Sequence, residues 1–203
     1  MKYIFDFDDV LFNNTSQFKP YMYAVLERAG VPRAKAEKYY QTVREDGFSL
    51  RAFIKNLFVF ENIGRDIEEV YREIMTGCSN FLNERLIEAV KRVGLENCYI
   101  VTNGDKEFQW DKLRNSGLAN LFDEHRIRVV LKSKKEVIKE ILAENPGQEF
   151  VFLDDKRKFL DELKDLPNLT TIHFPDFKKY PNLKTILYDE RGLKKLMLEI
   201  KKK

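Results

Sequence analysis

The 203-residue sequence predicts an α/β protein: a doubly wound, mainly parallel sheet that carries an inserted all-helical domain. Three observations lead there. Six short apolar runs read as strands, rich in Val, Ile, Phe and Tyr and bounded by turn or charged residues. From the second run to the fifth they alternate with helical patterns, which means parallel βαβ units with right-handed crossovers. The first two runs lie about ninety residues apart, far more than one crossover helix needs, and that stretch is densely helical.

The first strand is Tyr3 to Phe7. In the helical stretch, Phe18, Tyr21, Met22, Val25, Leu26 and Ala29 recur at helical spacing and end at Gly30. Pro32 suits the first turn of a second helix reaching about Arg44. Ser49 is placed to cap a third, with Leu50, Phe53, Ile54, Leu57 and Phe58 on one face. Asp66 and Glu69 form a capping pair for a fourth. Asn83 caps a fifth that stops at Gly94, and this is the ordinary crossover helix. The division is therefore residues 1–15 and 83–203 as the α/β core, and 16–82 as the helical insert. The remaining strands are Cys98 to Val101, Arg126 to Leu131, Glu149 to Leu153, Leu169 to Phe174 and Thr185 to Tyr188. Their near-continuous apolar character fits a Rossmann-like sheet covered on both faces.

Composition narrows the function. Hydrophobic residues at 43%, with 16 Phe and 9 Tyr, exclude a disordered chain. Lys+Arg 36 against Asp+Glu 33 leaves +3, so net charge gives no argument for nucleic acid; only the lysine-rich end, Lys194, Lys195 and Lys201 to Lys203, leans that way. Cys78 and Cys98 are too few for a disulfide framework or a structural zinc site, and Cys98 reads as a small buried hydrophobe. No run approaches 18 apolar residues, and the N-terminus lacks a signal-peptide pattern. The expectation is a cytoplasmic protein, a monomer or small homo-oligomer, with no membrane partner.

Acidic pairs at strand ends carry the chemistry. The first strand ends in Asp6-Phe7-Asp8-Asp9. Carboxylates crowded at the end of a buried strand repel each other and resist desolvation, and a cation relieves both costs. In an extended chain Asp6 and Asp8 share a face, a spacing that suits Mg²⁺. A solvated acidic turn is the other reading of this tripeptide. The fourth strand, however, also ends in a pair, Asp154-Asp155. In open α/β sheets ligands sit beyond the carboxyl ends of strands, at the topological switch point. With the first strand central, between the second and the fourth, that crevice gathers Asp6, Asp8, Asp154 and Asp155. The second strand runs into Thr102-Asn103-Gly104-Asp105, which offers a hydroxyl and backbone amides to an anion. After the third strand, Ser133 to Glu136 reads as a capping box with Lys134 as the first helical residue. A lysine there opposes the helix dipole and would serve if an anion sits nearby; a solvated basic turn is the other reading.

In this order and spacing the four pieces resemble the haloacid dehalogenase-like superfamily of phosphohydrolases. Asp6-Phe7-Asp8 matches its first motif, Thr102 its second, Lys134 its third and Asp154-Asp155 its fourth. Gln109, Lys112-Leu113, Gly117-Leu118 and Phe122 resemble the helix that follows motif two in members with helical caps. The resemblance covers the whole chain and implies that residues 16–82 are a mobile cap. Five positions, at three places, depart from the pattern. Asp9 and Val10 stand where Gly and Thr often follow, Asn13-Asn14 replace an Asp-Ser pair, and Phe159 stands where a further carboxylate is common. Dehalogenases of the superfamily lack the second aspartate of motif one, so the presence of Asp8 favours phosphoryl transfer.

The resemblance implies an Mg²⁺-dependent phosphohydrolase of a small phosphorylated substrate. Asp6 is the expected nucleophile and Asp8 the expected general acid and base. Thr102, Asn103 and Lys134 are expected to bind the phosphoryl group. Asp6, Asp154, Asp155 and Asp8, the last through its backbone carbonyl, are expected to hold the metal. Which of Asp154 and Asp155 ligates directly, and which of Lys132, Lys134 and Lys135 serves, stay open. Lys19, Arg44, Arg51 and Lys55 are possible substrate contacts from the cap. Trp110 reads as packing, and His125 and His173 as structural. A phosphomutase, a nucleic-acid end phosphatase and a non-catalytic module of the same fold are the alternatives.

Overall fold

The computed structural model describes residues 1–44 and 47–174. Its strands are β1 (Lys2–Phe5), β2 (Cys98–Asn103), β3 (Ile127–Val130), β4 (Phe150–Asp154) and β5 (Leu169–His173). They form one parallel sheet in the order β3-β2-β1-β4-β5. Ile4 is paired with Tyr99 on one side and with Phe152 on the other, so β1 is central. The winding reverses at β1, and a crevice opens where the carboxyl ends of β1, β2 and β4 meet.

Side chains alternate along each strand, and this splits the core in two. Ile4, Tyr99, Val101, Phe150 and Phe152 face one layer with Ile138, Ile141, Phe159 and Leu160. Those four come from α7 (Lys135–Ala143) and α8 (Arg157–Asp161). Phe5, Cys98, Ile100 and Val151 face the other layer. It holds α5 (Glu84–Val93), α6 (Lys106–Asn115) and the helices inserted after β1.

Those inserted helices are α1 (Lys19–Arg28), α2 (Arg33–Val43), α3 (Leu50–Phe60) and α4 (Ile67–Thr76). The expected caps are in place: Ser49 accepts from Ala52 N–H, Asp66 from Glu69 N–H and Asn83 from Leu86 N–H. Each such bond satisfies an orphan amide and contributes about 1 kcal/mol. The chain enters and leaves this segment side by side. Asn13 N–H donates to Phe81 C=O at 2.7 Å, and Asn83 N–H to Leu11 C=O at 2.8 Å.

Local details differ from the sequence expectation. β1 stops at Phe5, because the Phe7 carbonyl gathers the N–H groups of Val10, Leu11 and Phe12 and turns the chain. Asp6 directly follows β1, its N–H still bonded to Leu153 C=O at 2.9 Å, and Asp8 lies within the bend that follows, bridged to Phe12. α7 begins at Lys135, one residue late. Ser133 Oγ accepts from Lys135 N–H and donates to Glu162, so no capping box forms with Glu136. The expected strand Thr185 to Tyr188 and the basic C-terminal run lie outside the described residues.

Candidate active site

Asp6, just past β1, and Asp154, the last residue of β4, meet at the central strand ends. Lys134 reaches them from the loop before α7. Its Nζ lies 2.8 Å from Asp6 Oδ1 and 2.6 Å from Asp154 Oδ2, and the residue is 1% exposed. Lys132 is exposed and Lys135 half-buried, so Lys134 is the lysine of the cluster. Asp6 Oδ1 also accepts from Phe7 N–H, and among the described residues no hydrogen bond engages Oδ2. Both oxygens of Asp154 are taken, one by Lys134 and the other by Lys156 N–H at 2.7 Å. Among the described residues, Asp155 Oδ1 is buried without a hydrogen-bond partner.

One oxygen from each of Asp6, Asp154 and Asp155 lies within 4.8 Å of the others. Three carboxylates against one lysine leave excess negative charge. Burial, with Lys134 opposing and Asp154 adding repulsion, pushes the Asp6 carboxyl up to about 7. Burial also raises Asp155, with Lys156 opposing and Asp154 adding to it. An orphaned buried oxygen among hard oxygen donors fits Mg²⁺.

The Asp8 carboxylate lies outside that cluster. Lys112 Nζ, from α6, stands 2.6 and 2.7 Å from its two oxygens, and Gln109 Nε2 donates to Oδ2 at 2.9 Å. Burial alone would raise Asp8, but Lys112 and the Gln109 hydrogen bond outweigh it and hold the carboxyl below its usual range. In the metal-free protein the two motif-one carboxylates are thus driven in opposite directions, Asp6 upward and Asp8 downward.

Thr102 is buried at the end of β2, and its Oγ1 has no hydrogen-bond partner. The Asn103 side chain donates to Lys132 C=O at 2.7 Å and so pins the loop that carries Lys134. Asn103 also borders a cavity of ≈ 350 Å³ above the cluster. Asp8, Asp155 and Lys156 line it from the core, and Lys19, Tyr40, Arg44 and Phe48 from the inserted segment.

Of the other expected contacts, Arg51 is engaged elsewhere. It donates to Glu68 and to Glu107 of α6, and its guanidinium sits 3.6 Å over the Tyr71 ring. Lys55 does not border the cavity. Asp9 (φ 59°) turns its carboxylate to Thr15, accepting from both N–H and hydroxyl. Trp110 is half-buried against the core, His125 is exposed, and His173 Nε2 lies 3.0 Å from Asp155 C=O.

Lys112 and Gln109 entered the sequence reading only as part of a helix pattern, with no role. Their signal is faint: two polar residues three apart, flanked by Phe108 and Leu113 on the face that α6 buries.

A family model described as haloacid dehalogenase-like hydrolase matches residues 3–164. Among solved structures, one described as a haloacid dehalogenase-like hydrolase from Burkholderia xenovorans superposes with a TM-score of 0.66 at 19% identity, covering 83% of this chain and 79% of the other. A β-phosphoglucomutase-like structure from Thermotoga maritima gives 0.52 at 19% identity, over 83% and 84%. A hydrolase of the same type from Bacillus subtilis, bound to magnesium, gives 0.52 at 18% identity, over 85% and 93%. At these identities the likeness concerns the fold. No protein of curated function matches the sequence.

Proposed function

Since the chain belongs to the haloacid dehalogenase-like hydrolases, we propose that it is an Mg²⁺-dependent phosphatase that hydrolyses a small phosphorylated metabolite through an aspartyl phosphate on Asp6. The observation that carries this reading is the state of Asp6. One of its oxygens is fixed by Lys134 and Phe7 N–H, and the other is left for attack at the floor of a crevice. Asp6, Asp155 and the Asp8 backbone carbonyl would hold the metal. Asp155, with an unpartnered oxygen, is the better direct ligand; Asp154 is spent on Lys134 and Lys156. When bound, Mg²⁺ offsets the repulsion between these carboxylates and a phosphate dianion.

Asp6 Oδ2 attacks phosphorus while the bond to the leaving oxygen breaks; Asp8, held low in the free site, takes up a proton from solvent as the anionic substrate binds beside it and gives that proton to the leaving oxygen. Asp8 then takes a proton from water. The resulting hydroxide attacks phosphorus, and the acyl-phosphate bond breaks to release phosphate and restore Asp6. Lys134 Nζ and the free Thr102 hydroxyl bind the non-bridging oxygens, where transition-state charge spreads.

Residues 16–82 act as a cap in this reading. They line the cavity with Lys19, Tyr40, Arg44 and Phe48, so they select the substrate. A space of ≈ 350 Å³ suits a small metabolite and not a nucleic-acid strand. We place the enzyme in the cytoplasm: both cysteines are buried and free, in keeping with a reducing compartment. Among the described residues no helix is long and apolar enough to cross a membrane. A panel of phosphate monoesters assayed with Mg²⁺ for free phosphate tests the reading. Release of phosphate supports it. Transfer of the group within the substrate would make the protein a mutase, and inertness toward every ester would sink both.

A further inference from the structure

We propose that Lys112 and Gln109 are positioning residues for Asp8, holding its carboxylate in the one orientation that serves both proton transfers; the proposal rests on the phosphatase reading above.

Lys112 is 1% exposed, and its ammonium lies 4.7 to 6.0 Å from the ring centroids of Phe7, Phe12, Phe18 and Phe108. Asp8 is the one carboxylate bonded to it among the described residues. An ammonium in such a place is expensive, and an apolar side chain would fill the space between four rings without desolvation. Stability of the fold therefore does not select a lysine here. What the lysine adds is a grip on both oxygens of Asp8 at 2.6 and 2.7 Å.

Gln109 completes the grip. It stands one turn earlier on the same helix face and donates from Nε2 to Asp8 Oδ2 and, at 3.3 Å, to Asn103 C=O. Room for that amide is built into the end of β2. A Cβ on Gly104 would stand 2.7 Å from Gln109 Nε2. Asp8 lies beyond the last residue of β1, bridged to Phe12 and outside the sheet, so the sheet does not set its side-chain orientation. The two lysine–aspartate groups share no atom: Lys134 serves Asp6 and Asp154, and Lys112 serves Asp8 alone. Lys112 touches no reacting atom.

Rapid-quench kinetics of Mg²⁺-loaded full-length protein with nitrophenyl phosphate test the proposal. Nitrophenolate leaves without help from an acid, so a misplaced Asp8 spares the first step and slows the second. Lys112→Met should show a burst approaching one nitrophenolate per chain. Its steady rate should then fall about 10²-fold, the typical penalty for misplacing a catalytic group by about 1 Å. KM should change little. In an Asp8→Asn background, Lys112→Met should slow the steady rate no further, because the two act as one unit. A loss that merely tracks the unfolded fraction, without a burst, would make Lys112 a structural staple and overturn the proposal; so would additive loss in the double variant. If Lys112→Met does not fold, Gln109→Leu decides on the same readout, since it removes a hydrogen bond and no charge: a burst supports the grip, and its absence overturns it. Inactivity of the wild-type protein on every ester is a different failure, that of the phosphatase reading itself.

Discussion

Lys134 Nζ stands 2.6 Å from Asp154 Oδ2, joining the loop before α7 to the carboxyl end of β4 deep in the crevice. The same ammonium faces Asp6 at 2.8 Å. It is the cation that joins Asp6 and Asp154.

Lys134→Met should therefore destabilise the metal-free protein by about 3–5 kcal/mol, the usual result of removing one partner from a buried ion pair. Mg²⁺ should return more stability to the variant than to wild type, because it replaces the missing positive charge. Thermal melts with and without Mg²⁺ check this. Equal metal-induced shifts in both proteins would place the cation somewhere else.

Metal removal should abolish turnover. Phosphate release should vanish in chelator and return with added Mg²⁺. Ca²⁺ should inhibit, since its larger and looser coordination shell spoils in-line geometry. Turnover that survives thorough chelation would contradict the metal-holding role given to Asp6 and Asp155.

Asp6→Asn should fold and be inactive, and it should change how stability depends on pH. In the metal-free protein, burial chiefly pushes the Asp6 carboxyl up from 3.8 to about 7. The folded state then holds this proton more tightly than the unfolded chain does. The contribution of Asp6 is most favourable below about 4 and is lost as pH rises through about 7. Asn cannot ionise, so the variant should lack that decline and match or exceed wild type at pH 8 without metal. Denaturant melts across this range are the measurement. A variant that unfolds at every pH would make Asp6 a structural residue.

Asp8→Asn should separate the two chemical steps. Nitrophenyl phosphate needs little acid help, so Asp6 is still phosphorylated, and the intermediate then waits for unactivated water. General-base help is worth about 10²–10⁴-fold, enough for the intermediate to accumulate. One nitrophenolate per chain should appear quickly, and mass spectrometry should find the phosphoryl group on the peptide that contains Asp6. Phosphate on any other residue would refute the nucleophile.

Signals confined to a few residues were legible in the sequence. Ser49, Asp66 and Asn83 mark helix starts because a cap bonds an amide only two or three residues on. Asp6, Thr102 and Asp154 were legible because each closes an apolar run, and the sheet brings such ends to one edge. The union of Lys112 with Asp8 was not. It joins residues 104 positions apart, and nothing local in α6 says which element its buried polar side chains will meet. That Asp6 and Asp8 meet different lysines was not legible for a related reason. Strand pairing ended two residues early, where the Phe7 carbonyl collected three amides. Lys134 could not be separated from Lys132 and Lys135, because one residue of drift in a helix start re-aims every side chain.

The paired crossing of Leu11 to Asn13 with Phe81 to Asn83 bears on how the chain finds its native state. The sheet requires Tyr3 to meet Cys98, and closing so long an unstructured loop is slow and entropically unfavourable. Once the intervening helices have packed, their two ends stand one hydrogen bond apart, and the loop that β1 and β2 must close shrinks to the short stretch before Leu11 and the segment of α5 after Asn83. Assembly of the inserted helices should therefore come before, or together with, pairing of the central strands. The refolding rate of the sheet is then governed in part by residues far from it, such as the helix caps Ser49 and Asp66.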